Sequence, residues 1–234
     1  MTETWKRELI NAANPEKIKI LSSFFKTGKG EYGEGDKFIG LTVPLNRAIA
    51  RRYRDASLDD IAKMLNEDVH EFRLSGFLAL VAKFEKEKEC EARKIIVDFY
   101  LKHGERANNW DLVDLSAPKI LGEYLLSFPS PTLLDELSRD SCLWRQRIAI
   151  VATYTLIKHN RHDDTFRLAL RYLSHPHPLI HKATGWMLRE AGKRDAGRLR
   201  DFLEQHAAEM PRTALRYAIE KLDAETRRYY MNKK

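Results

Sequence analysis

The most constraining feature of this sequence is a helical pattern that recurs at nearly constant spacing. Apolar residues return every three or four positions in almost every segment, as in helices with one buried face. Five segments, each preceded by another helical segment, start 31–37 residues apart, near Phe72, Asn109, Gln146, His181 and Arg212. This spacing predicts HEAT-like antiparallel helix pairs.

One such pair cannot bury its apolar face alone, so neighbouring pairs are expected to stack. We therefore predict an all-α fold, a superhelical array of HEAT-like helix pairs with one concave face. A single irregular helical bundle is the alternative. There is no clear linker or low-complexity tract, so we expect one domain over residues 1–234. Only residues 38–43 resemble a strand, and we expect an extended loop there because the segment is isolated.

Composition favours a soluble globular protein, with 43% apolar and 32% charged residues. No apolar run approaches the length of a membrane span, and the N-terminus lacks the layout of a signal peptide. We therefore expect a cytoplasmic protein of bacterial type. Cys90 and Cys142 fit helical core positions, and His175 and His177 lie between prolines without an evident third ligand. We expect no metal and no cofactor.

The net charge of +7 favours a polyanionic partner, although charge alone is not specific. Arginines crowd one predicted helix without an intervening acid, and basic residues are frequent near the C-terminus. The first group is Arg47, Arg51, Arg52 and Arg54; the second is Arg212, Arg216, Arg227, Arg228, Lys233 and Lys234.

An indole and a carboxylate lie one helical turn apart at Trp110 and Asp114. Arg147 and Lys182 follow Trp110 at steps of 37 and 35 residues, and Trp186 lies one turn beyond Lys182. Side chains at one repeat position would line one surface, and this set suits a phosphodiester and a sugar that becomes positive. Each of these residues also has a structural alternative. The tryptophans could lie in the core, Asp114 could cap a backbone or pair with Arg147, and Arg147 could form an ion pair.

Residues 28–35 match the pattern G-x-G-x-x-G by letter. A dinucleotide site requires a preceding strand and a helix that opens at the third glycine, and neither is predicted here. We expect a mobile glycine-rich loop; the alternative is an arm that closes on a ligand.

Four stretches carry a family resemblance over about residues 15–225. They are Phe38-Ile39-Gly40 with Pro44 and Arg47; Trp110-Asp111 with Val113, Asp114 and Pro118; Trp144 with Gln146, Arg147, Ala149 and Ile150; and Lys182-Ala183 with Gly185, Trp186, Leu188, Arg189 and Glu190. With these motifs the chain resembles the AlkD-like DNA alkylation repair proteins, which are HEAT-repeat DNA glycosylases that release N3- and N7-alkylated purines. Its loop at residues 28–35 looks longer than in the best-known members.

The resemblance implies a DNA glycosylase that binds duplex DNA through backbone and sugar, with the damaged base outside any snug pocket. No lysine is placed as an obvious Schiff-base nucleophile, so we expect a monofunctional enzyme, and we expect a monomer with a concave DNA-binding face. It implies that Asp114 is the catalytic carboxylate, that Trp110 and Trp186 hold the sugar of the modified nucleotide, and that Arg147 binds its phosphate. Further DNA contacts are expected from Lys182, Arg189, Arg47, Arg51 and Thr42.

Two other functions remain open. One is a catalytically silent relative that only binds DNA. The other is a helical-repeat scaffold for proteins, which would favour an apolar or acidic ridge where this sequence has Arg73, Trp110, Arg147 and Lys182.

Overall fold

The computed structural model describes residues 1–233, so Lys234 of the basic C-terminal group lies outside the described residues. Helices occupy most of this range. Their bounds are α1 Thr2–Asn11, α2 Ile18–Phe24, α3 Val43–Arg52, α4 Leu58–Leu65, α5 His70–Lys86, α6 Cys90–Lys102, α7 Trp110–Ser116, α8 Glu123–Ser127, α9 Pro131–Arg139, α10 Leu143–Lys158, α11 Asp163–Arg171, α12 Pro178–Gly192, α13 Ala196–His206, α14 Arg212–Ala218 and α15 Ala224–Asn232. Short 3-10 helices span Pro15–Lys17 and Gly104–Arg106, and a π-helix spans Pro118–Gly122.

The predicted all-α class is confirmed. Within residues 1–233 the only β-pairing is an isolated bridge between Lys37 and Val69. Residues 38–42 lie outside any helix and Val43 begins α3, so the strand-like segment is an extended connection, as predicted.

The chain forms two compact units, of which the first is Met1–Ile120 and the second begins at Leu121. The assignment of residues 1–234 to one domain stays a prediction.

The helix pairs inferred from the sequence are present in both units. In the first unit α4 packs on α5, and α5 contacts α6 and α7. In the second unit α9 packs on α10 and α11 on α12, while α12 also contacts α10, α13 and α14. The second helices of successive pairs therefore contact one another, as in HEAT-like repeats.

Burial differs between the two helices of a pair. The second helix α5 buries 13 of its 17 residues, among them Phe77 and Leu80, which are fully inaccessible. The first helix α4 buries only Ile61, Met64 and Leu65, which form one face. Each fully buried side chain of this size contributes about 1.5–3 kcal/mol, so α5 contributes more to the core than α4 does.

Local turn chemistry sets several helix starts. Prolines lie in four first turns, where the missing N–H has no helical acceptor: Pro15, Pro44, Pro131 and Pro178. Three predicted N-caps accept a backbone N–H: Asn14, Ser57 and Ser130. The prediction for Asp163 is wrong by one residue, because His162 is the N-cap and Asp163 is the first helical residue.

The helix predicted over residues 112–128 is not continuous. It ends as α7 at Ser116, passes through the π-helix and resumes as α8 at Glu123. Pro118 accounts for the break, because it has no N–H to donate to the carbonyl of Asp114 and its ring crowds that carbonyl. Such π segments occur often at functional sites.

Gly185 allows α12 to approach α14 closely. A Cβ at this position would lie 2.3 Å from the carbonyl oxygen of Ala214 and 2.6 Å from the Cβ of Tyr217. The glycine that precedes Trp186 in the motif is therefore required by helix packing.

We expect Gly185→Ala to destabilise the protein by about 1–3 kcal/mol, because the α14 backbone cannot yield to the added methyl group without shifting. Gly197→Ala on α13 is the matched control, since its Cβ would meet only Asp195 Oδ1 at 3.6 Å. The thermal midpoint by circular dichroism should fall for Gly185→Ala and stay level or rise for Gly197→Ala. Equal midpoints for the two variants would contradict this packing argument.

Candidate functional site

Trp110 and Asp114 both lie on α7, as their spacing predicts. Both are partly exposed, whereas Leu112 and Val113 between them are fully buried. Asn109 starts the helix at Trp110, because its buried side chain accepts the Trp110 backbone N–H at 2.8 Å. One accessible edge of a largely buried helix therefore carries the indole and the carboxylate.

A buried ion network fixes the first turn of α7. The His70 ring is 1% exposed, with Nδ1 2.9 Å from Asp36 and Nε2 2.9 Å from Asp111. An imidazolium can donate at both nitrogens, so it bridges the two carboxylates. Burial opposes this charge, but Asp111 and Asp36 raise the pKa of His70 to about 9.

Arg73 completes this network rather than lining a surface. It is 1% exposed, forms an ion pair with Asp36 and donates to the carbonyl oxygens of Glu67 and Asp68. Burial disfavours the Asp36 carboxylate, yet His70 and Arg73 hold its pKa below the ordinary value. The expectation that the repeat position places Arg73 on a common surface is therefore wrong, because its charge compensates a buried aspartate.

The Phe-Ile-Gly motif is held by one carboxylate. Glu71 is 1% exposed and accepts the backbone N–H groups of Ile39, Gly40 and Leu41 at 2.9–3.1 Å. Gly40 has φ +87°, and a Cβ there would lie 1.9 Å from the carbonyl oxygen of Asn14. Only glycine fits both the dihedral angle and the space.

The glycine-rich loop contacts Trp110 directly. The Tyr32 hydroxyl accepts the indole Nε1–H at 3.1 Å. Phe25 stacks on the indole with ring centroids 5.3 Å apart, and Phe24 meets it edge-on at 5.7 Å. The contact between the loop and α7 was not foreseen from the sequence, because it joins residues 78 positions apart.

Three basic residues of the first unit line part of a cavity of about 290 Å³ beside α7. Its lining includes Arg47, Arg51, Leu78, Glu85, Leu115 and Lys119. Leu115 follows Asp114 directly, so the cavity adjoins the site helix. Lys119 was missed by the sequence reasoning, because it lies in the π-helix outside the motif spacing.

Thr42 lies next to these arginines in sequence as the N-cap of α3. Its carbonyl accepts the backbone N–H of Asn46 at 2.9 Å, and its hydroxyl makes no capping bond.

In the second unit Arg147 and Lys182 occupy the same register, the fifth residue of α10 and of α12. Their exposures differ sharply. Arg147 is 4% exposed and donates to the carbonyl oxygen of Leu179 at 2.6 Å, whereas Lys182 is exposed. The repeat spacing therefore predicts that Arg147 and Lys182 share a register, but it does not predict which of them is exposed.

Trp186 and Arg189 lie further along α12. Trp186 is partly exposed and contacts the Tyr154 ring at 5.6 Å, and Lys158 lies 4.4 Å over that ring. Arg189 forms ion pairs with Glu190 and Glu220. A DNA contact by Arg189 stays a prediction.

His175 and His177 have structural partners. His175 bonds to the Gln146 side chain at 2.9 Å, and His177 accepts the backbone N–H of Leu179 at the start of α12. Within residues 1–233 no group of three His, Cys, Asp or Glu side chains could hold a metal ion. Over the same range, no helix is both long enough and apolar enough to cross a membrane.

The helix pairs place the chain among all-α helical-repeat proteins. The family model of the DNA alkylation repair enzymes matches residues 5–222, so the chain belongs to that family. The resemblance found in the motifs is thereby confirmed at the level of the family.

Among solved structures, a predicted DNA alkylation repair enzyme from Enterococcus faecalis has a similar fold. It is 16% identical with a TM-score of 0.70, over 91% of this chain and 97% of that chain. No curated protein matches the sequence.

The His70 network predicts a loss of stability at alkaline pH. Folding raises the pKa of His70 from 6.5 to about 9, so the folded state binds the proton more tightly. The stabilisation is complete below pH 6.5 and is lost as the pH rises through about 9, by about 3 kcal/mol. Urea midpoints should fall across this window, and His70→Gln should flatten the curve. A constant midpoint for the wild-type protein would show that folding does not raise the pKa of His70.

Proposed function

We propose that the protein is a monofunctional DNA glycosylase that hydrolyses the N-glycosidic bond of cationic N3- and N7-alkylated purines in duplex DNA. The observation that carries this proposal is the accessible edge of α7, where Asp114 lies one turn after Trp110. Membership of the DNA alkylation repair enzyme family supports the substrate class.

The protein needs to supply little catalytic assistance to the departing purine base. An alkylated purine is already cationic, so it leaves as a neutral molecule when the bond from its nitrogen to C1′ breaks. Positive charge then grows on the deoxyribose, as in glycoside hydrolysis. A fixed carboxylate at Asp114 stabilises that charge, orients water toward C1′ and accepts the proton that the water loses.

Aromatic faces assist this charge development. An indole face attracts a cation by about 1–2 kcal/mol when it is desolvated. Trp110 is assigned this role because it shares the accessible edge of α7 with Asp114. Trp186 is assigned a second aromatic contact to the nucleotide by its motif alone.

The DNA backbone is proposed to contact the basic side chains. Arg47 and Arg51, with Lys119, supply positive charge beside α7, and Thr42 offers a hydroxyl at the start of α3. Lys182 is exposed on α12 and suits a phosphate as a point charge. Arg147 is assigned a phosphate by its motif, although its burial also gives it a structural role.

Asp114→Asn tests the catalytic assignment, because it keeps the shape of the side chain and removes its charge. We expect unchanged DNA binding and a 10²- to 10³-fold slower release of 7-methylguanine, which corresponds to roughly 2.7–4 kcal/mol of transition-state stabilisation. The measurement is single-turnover release of free base from a duplex with one lesion. Asp201→Asn on α13, also an exposed aspartate, is the control and should match the wild-type rate.

Two outcomes would refute parts of this proposal. Release by Asp114→Asn at the parental rate would remove Asp114 from the chemistry. Wild-type protein that binds the duplex without releasing base would identify a silent DNA-binding relative. A duplex with uracil serves as a substrate control, because an uncharged base with a strong glycosidic bond should remain in place.

Salt dependence tests the backbone contacts. Lys182→Ala should reduce the slope of log K against log salt by about one unit without lowering the thermal midpoint, because one exposed phosphate contact is lost. Arg147→Ala should reduce the slope and also destabilise the fold by about 1–3 kcal/mol, since the Leu179 carbonyl loses its donor. Lys94→Ala on α6 is the control, because Lys94 forms an ion pair with Asp98. A parental slope in Lys182→Ala would exclude that contact.

A further inference from the structure

We propose that Tyr32 is a positioning residue for Trp110, and that the glycine-rich loop is the structure that holds Tyr32 in place. The proposal rests on the function proposed above, in which Trp110 contacts the damaged nucleotide. Its basis is the hydrogen bond from the indole Nε1–H to the Tyr32 hydroxyl at 3.1 Å.

The hydrogen bond to Tyr32 adds a directional restraint to the ring contacts of Trp110. Phe25 stacks on the indole at 5.3 Å with an interplanar angle of 27°, which sets the plane of the ring. Stacking resists tilting but opposes rotation within the plane only weakly. The indole has a single donor, so its bond to Tyr32 defines the direction of the Nε1 edge.

The loop next to Tyr32 is held to the segment before it by local contacts. The next residue, Gly33, is buried and donates its backbone N–H to the carbonyl of Lys26 at 3.0 Å. A Cβ at Gly33 would lie 2.3 Å from the carbonyl oxygen of Phe25, so the close approach requires glycine. The loop is thereby fastened to the segment that contributes the stacked phenylalanine.

The Tyr32 segment is braced within the loop and anchored after it. The N–H of Gly28 donates to Glu31 at 2.9 Å, and the N–H of Gly30 donates across Tyr32 to Glu34 at 2.7 Å. After it, Asp36 is buried in its ion pairs with His70 and Arg73. The same network holds Asp111 at the first turn of α7. One ion network therefore positions both the segment that follows Tyr32 and the helix that carries Trp110.

The expected consequence concerns rate more than affinity. Without the hydroxyl the indole edge would rotate, and an aromatic face misplaced by a fraction of an ångström stabilises the developing charge less well. DNA affinity should change little, because most of it comes from backbone charges.

The first test measures the hydrogen bond without using activity. Protein labelled with ¹⁵N in its indole groups gives one Nε1–H signal for each of its four tryptophans, and Trp110→Phe identifies the relevant signal by its loss. In Tyr32→Phe the solvent exchange of that proton should become at least about 10-fold faster, as expected when a net bond of about 1.4 kcal/mol is lost. Tyr229→Phe is the matched control, since it removes an exposed hydroxyl bonded to Glu204. Unchanged exchange in Tyr32→Phe would overturn the proposal.

The second test separates positioning from folding and from binding. Tyr32→Phe should release 7-methylguanine about 5- to 10-fold more slowly in single turnover, with a Kd for the duplex within about twofold of wild type and the thermal midpoint retained. Faster proton exchange with a parental release rate would mean that the bond exists but positions nothing, and the proposal would fail. An equal loss in Kd and in rate would make Tyr32 a binding residue instead.

These outcomes are distinguishable from failure of the proposed function. If the wild-type protein released no alkylated purine, the glycosylase assignment would fall and the catalytic role of Tyr32 with it. The exchange measurement would still decide whether Tyr32 orients Trp110.

Discussion

The bridge of His70 between Asp36 and Asp111 is the interaction on which the organisation of the first unit depends. It joins the end of the glycine-rich loop, the start of α5 and the start of α7 through a single ring. Burying such charges costs several kcal/mol per ion unless every partner is present, so the arrangement tolerates little displacement of any element. This bridge therefore sets the position of the accessible edge of α7.

The helix pairs provide the rigid background. The second helices of successive pairs pack on one another, and glycine permits close backbone approach where α12 meets α14. Close packing of this kind makes a core resist continuous deformation. Side chains at the edges of these helices can therefore be held in place by the scaffold rather than by their own contacts.

The site helix departs from regular geometry where function is proposed. α7 is only seven residues long and gives way at Pro118 to a π-helix. Pro118 limits the helix just after Asp114, and the Asn109 cap fixes its start just before Trp110. Two local devices thus bracket the indole and carboxylate within one short helix, which suits a carboxylate that must meet charge at a defined point.

The sequence by itself determined the helical class, the pairing of helices, three N-caps and the placement of Trp110 and Asp114 on one helix. These features follow from periodicity and turn chemistry, which act over a few residues. Tertiary structure alone decided that Arg73 and Arg147 are buried while Lys182 is exposed, and that Tyr32 meets Trp110. A charged side chain looks the same in a sequence whether it faces water or a buried carboxylate. Only the distant partner, such as Asp36 for Arg73, supplies the compensating charge that makes burial favourable.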